Sequence, residues 1–131
     1  QVAEKESVIH SWTDDQKIVP IEKLDNWLAQ EHDLVDPFVV LYSGNMGRCH
    51  DIDTILTAAC QLKGEPILFV CIGGGAKRSG LMESVAKKGL NNFKFLPYQE
   101  KSVLPYSLTA SDLSLVSVAD GMERLVAPSK L

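Results

Sequence analysis

The chain has 131 residues, 45% hydrophobic and 23% charged, enough for one domain with its own core and not the composition of a disordered segment. A net charge of -4 and an isoelectric point near 5.3 argue against nucleic acid as a partner, although cations cluster at Lys77-Arg78 and Lys87-Lys88. No apolar run approaches the roughly 20 residues of a membrane span, and Cys49, Cys60 and Cys71 lack metal-ligand spacing, so a reduced, cytoplasmic protein is expected.

In chain order, residues 1–7 are polar and residues 8–12 suit a short strand or extended segment. Pro20 keeps residues 18–21 extended, and Leu24, Trp27 and Leu28 at i, i+3, i+4 predict a short amphipathic helix within 22–32. Asp36 and Pro37 end it, so that 1–37 reads as an interdomain lead-in and 38–131 as the domain proper. Residues 38–42 are apolar or aromatic with a β-branched pair, Val39-Val40, which predicts a buried parallel strand. Asp51 stands where an N-cap is needed for a helix over 52–62, whose apolar stripe is Ile52, Ile55, Leu56 and Ala59. Residues 67–72 form a second buried strand, ended by Gly73, Gly74 and Gly75. Ser79 is placed to cap a helix through Met82, Val85 and Ala86, closed by Lys87, Lys88 and Gly89. A third strand over 93–96, a short helix over 103–110 and a fourth strand over 113–118 complete the pattern.

This alternation predicts an α/β fold, a Rossmann-like parallel sheet with helices on both faces, built by right-handed crossovers. Four strands are fewer than such a domain normally carries. The start at Gln1 and the stop after Pro128-Ser129-Lys130 further suggest a piece whose sheet lacks its C-terminal part.

The polar chemistry gathers at strand ends. After the first strand, Gly44, Asn45, Gly47, Arg48, His50 and Asp51 offer a flexible backbone, a bidentate cation and a helix N-terminus to an anion. The plainer account is a tight turn, which would not require an Arg and a His beside an Asn. Gly73, Gly74 and Gly75 with Lys77 repeat the arrangement one strand over, the plainer account there being a flexible loop with a solvated basic pair. Lys77 stands nearer the strand end than Arg78. Tyr98 is placed to stack on a base or simply to pack, and Glu123 to accept from sugar hydroxyls or to sit in a charged loop. Asp112 is expected to anchor local backbone. The loop after the first strand is neither the dinucleotide fingerprint nor a Walker A loop, since the third glycine and the Gly-Lys-Ser/Thr are missing. That weakens a nicotinamide-dependent oxidoreductase. No metal site can be assembled around His50.

The ordered set Tyr42-Ser-Gly-Asn-Met-Gly-Arg-Cys-His-Asp51, Cys71-Ile-Gly-Gly-Gly75, Phe95-Leu-Pro-Tyr-Gln99, Leu108-Thr-Ala-Ser-Asp112 and Pro128-Ser-Lys-Leu131 resembles the C-terminal domain of retaining family-4 glycosyltransferases of the GT-B architecture. The resemblance runs from about residue 8 to the end, and its Ser-Gly-Asn-Met-Gly-Arg and Pro-Ser-Lys-Leu pieces are similar to a bacterial subgroup making exopolysaccharide or lipopolysaccharide. It implies a domain that binds a nucleotide-sugar donor, here a UDP-sugar, and transfers the sugar with retention. No metal or other cofactor is implied. The acceptor would be held by an N-terminal domain of the same polypeptide, and membrane association would be peripheral and through the full-length protein only. Aligned without gaps, the family's Arg position falls on Asn45 and its Lys position on His50. Arg48 would then be the diphosphate cation, His50 its weaker or pH-dependent partner and Glu123 the first of two family glutamates. The fragment alone is expected to bind donor at best and not to turn over. A non-catalytic Rossmann-like module that holds an anion or a partner is the alternative.

Overall fold

The computed structural model describes Ser7 and residues 17–125. The expectations for residues 8–12 and 128–130 lie outside the described residues. Four parallel strands, β1 (Phe38–Ser43), β2 (Ile67–Ile72), β3 (Phe93–Leu96) and β4 (Leu113–Ser114), form one sheet in the order β3-β2-β1-β4. Four helices accompany them: α1 (Trp27–Glu31), α2 (Ile52–Gln61), α3 (Arg78–Lys87) and α4 (Leu104–Thr109). From β1 the chain steps outward through β2 to β3, then crosses back to lay β4 on the other side of β1. The reversal between β1 and β4 is a topological switch point, where open α/β sheets hold ligands beyond the strands' carboxyl ends.

β1 is the centre of the molecule. Val40 and Tyr42 join the core under α2 and α3, with Phe69, Cys71, Leu81 and Val85. Val39 and Leu41 join the opposite core with Leu28 and Ala29 of α1, Val70, Ile72 and Ala110. Both faces are covered, which is why β1 is continuously apolar rather than alternating. Only Phe38, at the open start of the strand, is 47% exposed.

The expected N-cap of α2 is present: Asp51 Oδ1 accepts from the Thr54 N–H at 3.1 Å, and Ile52, Ile55 and Ala59 are buried. Elsewhere the local reading shifts. α3 buries Leu81 and Val85 while Met82 is 40% exposed. Its start is set from outside, because the Lys77 N–H donates to Met46 O (3.0 Å) and the Arg78 N–H to Gly75 O (3.1 Å). No side chain caps it, and Ser79 lies inside the first turn. The first helix is likewise not one stripe from Leu24 to Leu28. A 3-10 turn over Lys23–Asp25 is followed by a restart at Asn26, and Leu24 is 73% exposed. Asn26 Oδ1 accepts from the Leu28 and Ala29 N–H groups at 3.1 and 3.2 Å. Its amide nitrogen donates to Tyr106 O (2.8 Å) and Thr109 Oγ1 (3.2 Å), tying α1 to α4.

β4 pairs through Leu113 and Ser114 only, not through Val118, although the Leu115 N–H still donates to Leu41 O at 2.7 Å. β1 runs on to Ser43, so the ladder ends because the chain after Leu115 leaves it, with the Ala119 N–H donating to Cys49 O. Asp112 anchors backbone as expected: its Oδ2 accepts from the Val39 N–H at 2.7 Å and pairs with Lys23, whose Nζ also donates to Pro37 O at 2.9 Å. Burial works to raise this carboxyl's pKa, but the hydrogen bonds from Lys23 and Val39 outweigh it and hold it below the usual carboxylate range. A depressed folded-state pKa contributes stability that is present above the unfolded value near 3.9 and lost as pH falls through the folded one. Asp112→Asn is therefore expected to cost about 1 kcal/mol at pH 7 and less at pH 3. Urea unfolding at the two pH values checks this, and an equal loss at both would contradict it.

Candidate functional site

The loops at the carboxyl ends of β1 and β2 are locked into each other. The Gly44 N–H donates to Ile72 O (2.8 Å) and the Met46 N–H to Gly74 O (2.7 Å), while Met46 O receives the Lys77 N–H. The Met46 side chain, fully buried, plugs the core beneath. Gly73 sits at φ +127°, where a Cβ would stand 2.2 Å from Gly44 O. Gly75 sits at φ +125°, where a Cβ would stand 2.6 Å from Asn45 Oδ1 and from the Met46 backbone. These two glycines are demanded by loop-against-loop contact.

The cations divide by what already holds them. Lys77 Nζ donates to His50 O at 2.7 Å and so serves the neighbouring loop. The Arg78 guanidinium lies 5.8 Å from the centre of the Phe95 ring, with Nη1 3.2 Å from Met82 Sδ, capping an aromatic column of Phe69, Phe93 and Phe95. Arg48 is exposed and makes no hydrogen bond or ion pair among the described residues. It is the one cation of the three with its whole donor fork available to an anion.

The N-terminus of α2 does not offer the vacant end that the sequence suggested. The Asp51 carboxylate occupies it, and hydrogen bonds from the Thr54 side chain and backbone lower its pKa. Arg48 and His50 stand on the loop before it.

His50 is held on several sides. Its Nδ1 lies 3.1 Å from Ser117 O, its ring meets Tyr42 edge-on at 5.9 Å, and its Cδ2 would be 3.8 Å from a Cβ at Gly47. The Asn45 amide flanks Gly47 from the other side, its Nδ2 3.0 Å from that Cβ position. The Ala119 N–H donates to Cys49 O (2.8 Å), so the segment after β4 is strapped along this loop. The Tyr42 hydroxyl donates to Asn45 O at 2.9 Å; burial first, then neighbouring Cys71 and Tyr98, push its pKa up to about 12 and keep it a donor.

Tyr98 stands beyond β3, 65% exposed, with its ring 3.8 Å from a Cβ position at Gly74. The structure thus gathers Gly44, Asn45, Gly47, Arg48, His50, Gly73, Gly74, Gly75 and Lys77 at one end of the sheet, with Tyr98 at their margin. Glu123 is exposed on the turn after the strap, where its Oε1 accepts from the Gly121 N–H at 3.1 Å. Met46 and Ser117 were not singled out from sequence. Met46 had a signal, an apolar residue inside a polar loop, whereas a backbone carbonyl such as that of Ser117 leaves none.

Among the described residues no three His, Cys, Asp or Glu side chains come together to hold a metal, and no helix is long and apolar enough to cross a membrane. An open hollow of about 480 Å³ lies between α2 and the β4 segment, lined mainly by apolar residues such as Ile55, Ala58, Leu62, Phe69 and Leu115. Such a lining does not suit a polyanion.

The family model "Glycosyl transferases group 1" matches residues 25–123. The chain is 36% identical over 93 residues to WcaI of Escherichia coli K12, named as a colanic acid biosynthesis glycosyl transferase, covering 71% of the chain and 23% of that protein. It is 32% identical over 129 residues to WbjE of Pseudomonas aeruginosa, named as a glycosyltransferase, covering 93% of the chain and 30% of that protein. It therefore spans under a third of either relative's length. Among solved structures, the C-terminal domain of a group 1 glycosyl transferase (LpcC) from Francisella tularensis aligns with a TM-score of 0.63 at 21% identity. That alignment covers 79% of this chain and 57% of the other. Anabaena HepE in complex with UDP-glucose aligns with a TM-score of 0.58 at 20% identity, covering 78% of this chain and 27% of that one. At these identities the two alignments establish a shared fold.

Proposed function

The chain belongs to the group 1 glycosyl transferases, and from that premise we propose that it is the donor half of an enzyme that transfers a sugar from UDP to a glycan, with retention, in exopolysaccharide or lipopolysaccharide synthesis. In this reading residues 38–131 carry the donor site. Residues 1–37 lead in from an acceptor-binding domain of the same polypeptide, and the helix in that lead-in packs onto the donor domain. The observation that carries the reading is Arg48, an uncommitted guanidinium on a loop at the switch point of the sheet. The relative's name points to a polysaccharide product, and the HepE complexes point to UDP.

The chemistry asks little of the protein beyond charge and position. As the bond between the anomeric carbon and the diphosphate breaks, negative charge grows on the leaving phosphate oxygens. Arg48 can take two of them with parallel N–H donors, which are worth more in the transition state than in the ground state. His50 adds a second group on the same loop. Gly44, Asn45 and Gly47 let backbone approach the phosphates, Tyr98 offers a ring face to the base, and Glu123 a carboxylate to sugar hydroxyls. Lys77, with Gly73, Gly74 and Gly75, acts by holding the Arg48 loop in place. No metal is needed to offset the leaving-group charge.

The test is titration of the intact protein with UDP, GDP and their sugars, repeated with Arg48→Ala. Arg48 is exposed and makes no hydrogen bond or ion pair among the described residues, so its loss is expected to leave thermal stability unchanged. UDP affinity is expected to fall about 10- to 100-fold, the value of a charge-assisted hydrogen-bond pair. Unchanged affinity and transfer would remove Arg48 from the site, and tighter binding of GDP than UDP would change the base.

A further inference from the structure

We propose that His50 is a proton-gated phosphate ligand, and that the Ser117 carbonyl decides which ring nitrogen carries the gate. The proposal rests on the donor-site reading and adds a regulation to it. A carbonyl oxygen can only accept, so Nδ1, 3.1 Å from Ser117 O, keeps its hydrogen whether the ring is neutral or charged. The proton that comes and goes is therefore the one on Nε2. When Nε2 is bare it presents a lone pair to a phosphate oxygen, and when protonated it presents a donor and a full charge.

The ring cannot readily swing to exchange its two nitrogens. The Tyr42 edge and Gly47 flank it, Lys77 Nζ holds its backbone carbonyl, and the bond from the Ala119 N–H to Cys49 O fixes the strap that carries Ser117. The titratable and charged groups around it are few. Tyr42 on β1 is neutral up to about 12, Lys77 at the start of α3 is a permanent cation, and the loop itself contributes Arg48, Cys49 and Asp51. The segment after β4 sets the Ser117 carbonyl against the ring and carries Asp120, Glu123 and Arg124 farther along. Arg48 supplies charge at every pH.

A phosphate's own second ionisation, near pH 6, runs against this effect, so wild-type affinity alone would mislead. The comparison that isolates the gate is wild type against His50→Lys, in which the position is charged throughout and the ligand's titration cancels. In the intact protein, with UDP and with inorganic pyrophosphate as probes, the two proteins are expected to bind about equally at pH 5.5. At pH 8 the lysine variant is expected to bind about tenfold tighter. Independently of any ligand, 15N NMR of histidine-labelled protein is expected to show neutral His50 with its hydrogen on Nδ1. A hydrogen on Nε2, or an affinity ratio flat across pH, overturns the gate while leaving UDP binding intact. Absence of UDP binding by either protein at every pH overturns the donor-site reading as well, so the two failures are told apart.

Discussion

Gly73→Ala is expected to cost about 3–5 kcal/mol, a large part of the stability of a domain this size. The backbone at φ +127° is one that a Cβ makes strained, and that Cβ would stand 2.2 Å from Gly44 O, an atom that belongs to a turn rather than to a flexible side chain. Relief requires the two loops to part. The hydrogen bonds from Met46 to Gly74 and from Lys77 to Met46 part with them, and the Arg48 loop loses its template. Urea unfolding should show the loss with two controls beside it. Gly74→Ala places a Cβ at an ordinary 3.8 Å from Tyr98 and is expected to change stability by less than about 1 kcal/mol. Gly80→Ala puts a methyl into open space inside α3 and is expected to stabilise by up to about 1 kcal/mol. If Gly73→Ala behaves like its neighbour, the interlock is not what those glycines serve.

Asn26→Ala is the second large effect, about 3 kcal/mol, because one fully buried amide answers four groups. Its removal uncaps α1 and takes a second donor from Tyr106 O, which keeps the Ala110 N–H, and from Thr109 Oγ1, which still donates to Pro105 O. Asn26→Ser separates the parts: a serine oxygen can still cap the helix but cannot reach α4 as an amide does, so about half the loss should return. Full recovery by serine would show that the link to α4 contributes nothing.

What the residues disclosed and what they hid divide along physical lines. β2 and β3 were legible to the residue because an apolar run in β2 and paired phenylalanines in β3 end at a glycine and a proline, signals the chain carries locally. The cap at Asp51 was legible for the same reason. α3 was misphased because its start is imposed by Met46, some thirty residues away, and no local pattern records that. β4 was overextended because residues 115–118 look like a strand, yet the chain leaves β1 after Leu115 and follows the loop after β1 instead, a long-range choice that no local pattern records. Leu24, Trp27 and Leu28 had helical spacing, yet Asn26 restarts the helix and leaves Leu24 outside. At the site, the residue types were readable and their allegiances were not. Lys77 and Arg48 look alike as cations after glycines; only the structure shows one bound to a carbonyl and the other unengaged.

The placement of β4 beside β1 also dictates an order of assembly. β1, β2 and β3 are joined by consecutive crossovers and can form as the chain emerges. The contacts that seat β4, such as the Asp112 carboxylate on the Val39 N–H, close a loop of 73 residues. Loop-closure entropy and contact order make that the late step. Until it happens β1, whose Val39 to Tyr42 are buried in the finished fold, is an open edge. The chain is therefore most prone to pair with a neighbour during synthesis, and Lys23 and Asp112 together complete the seal that ends that interval.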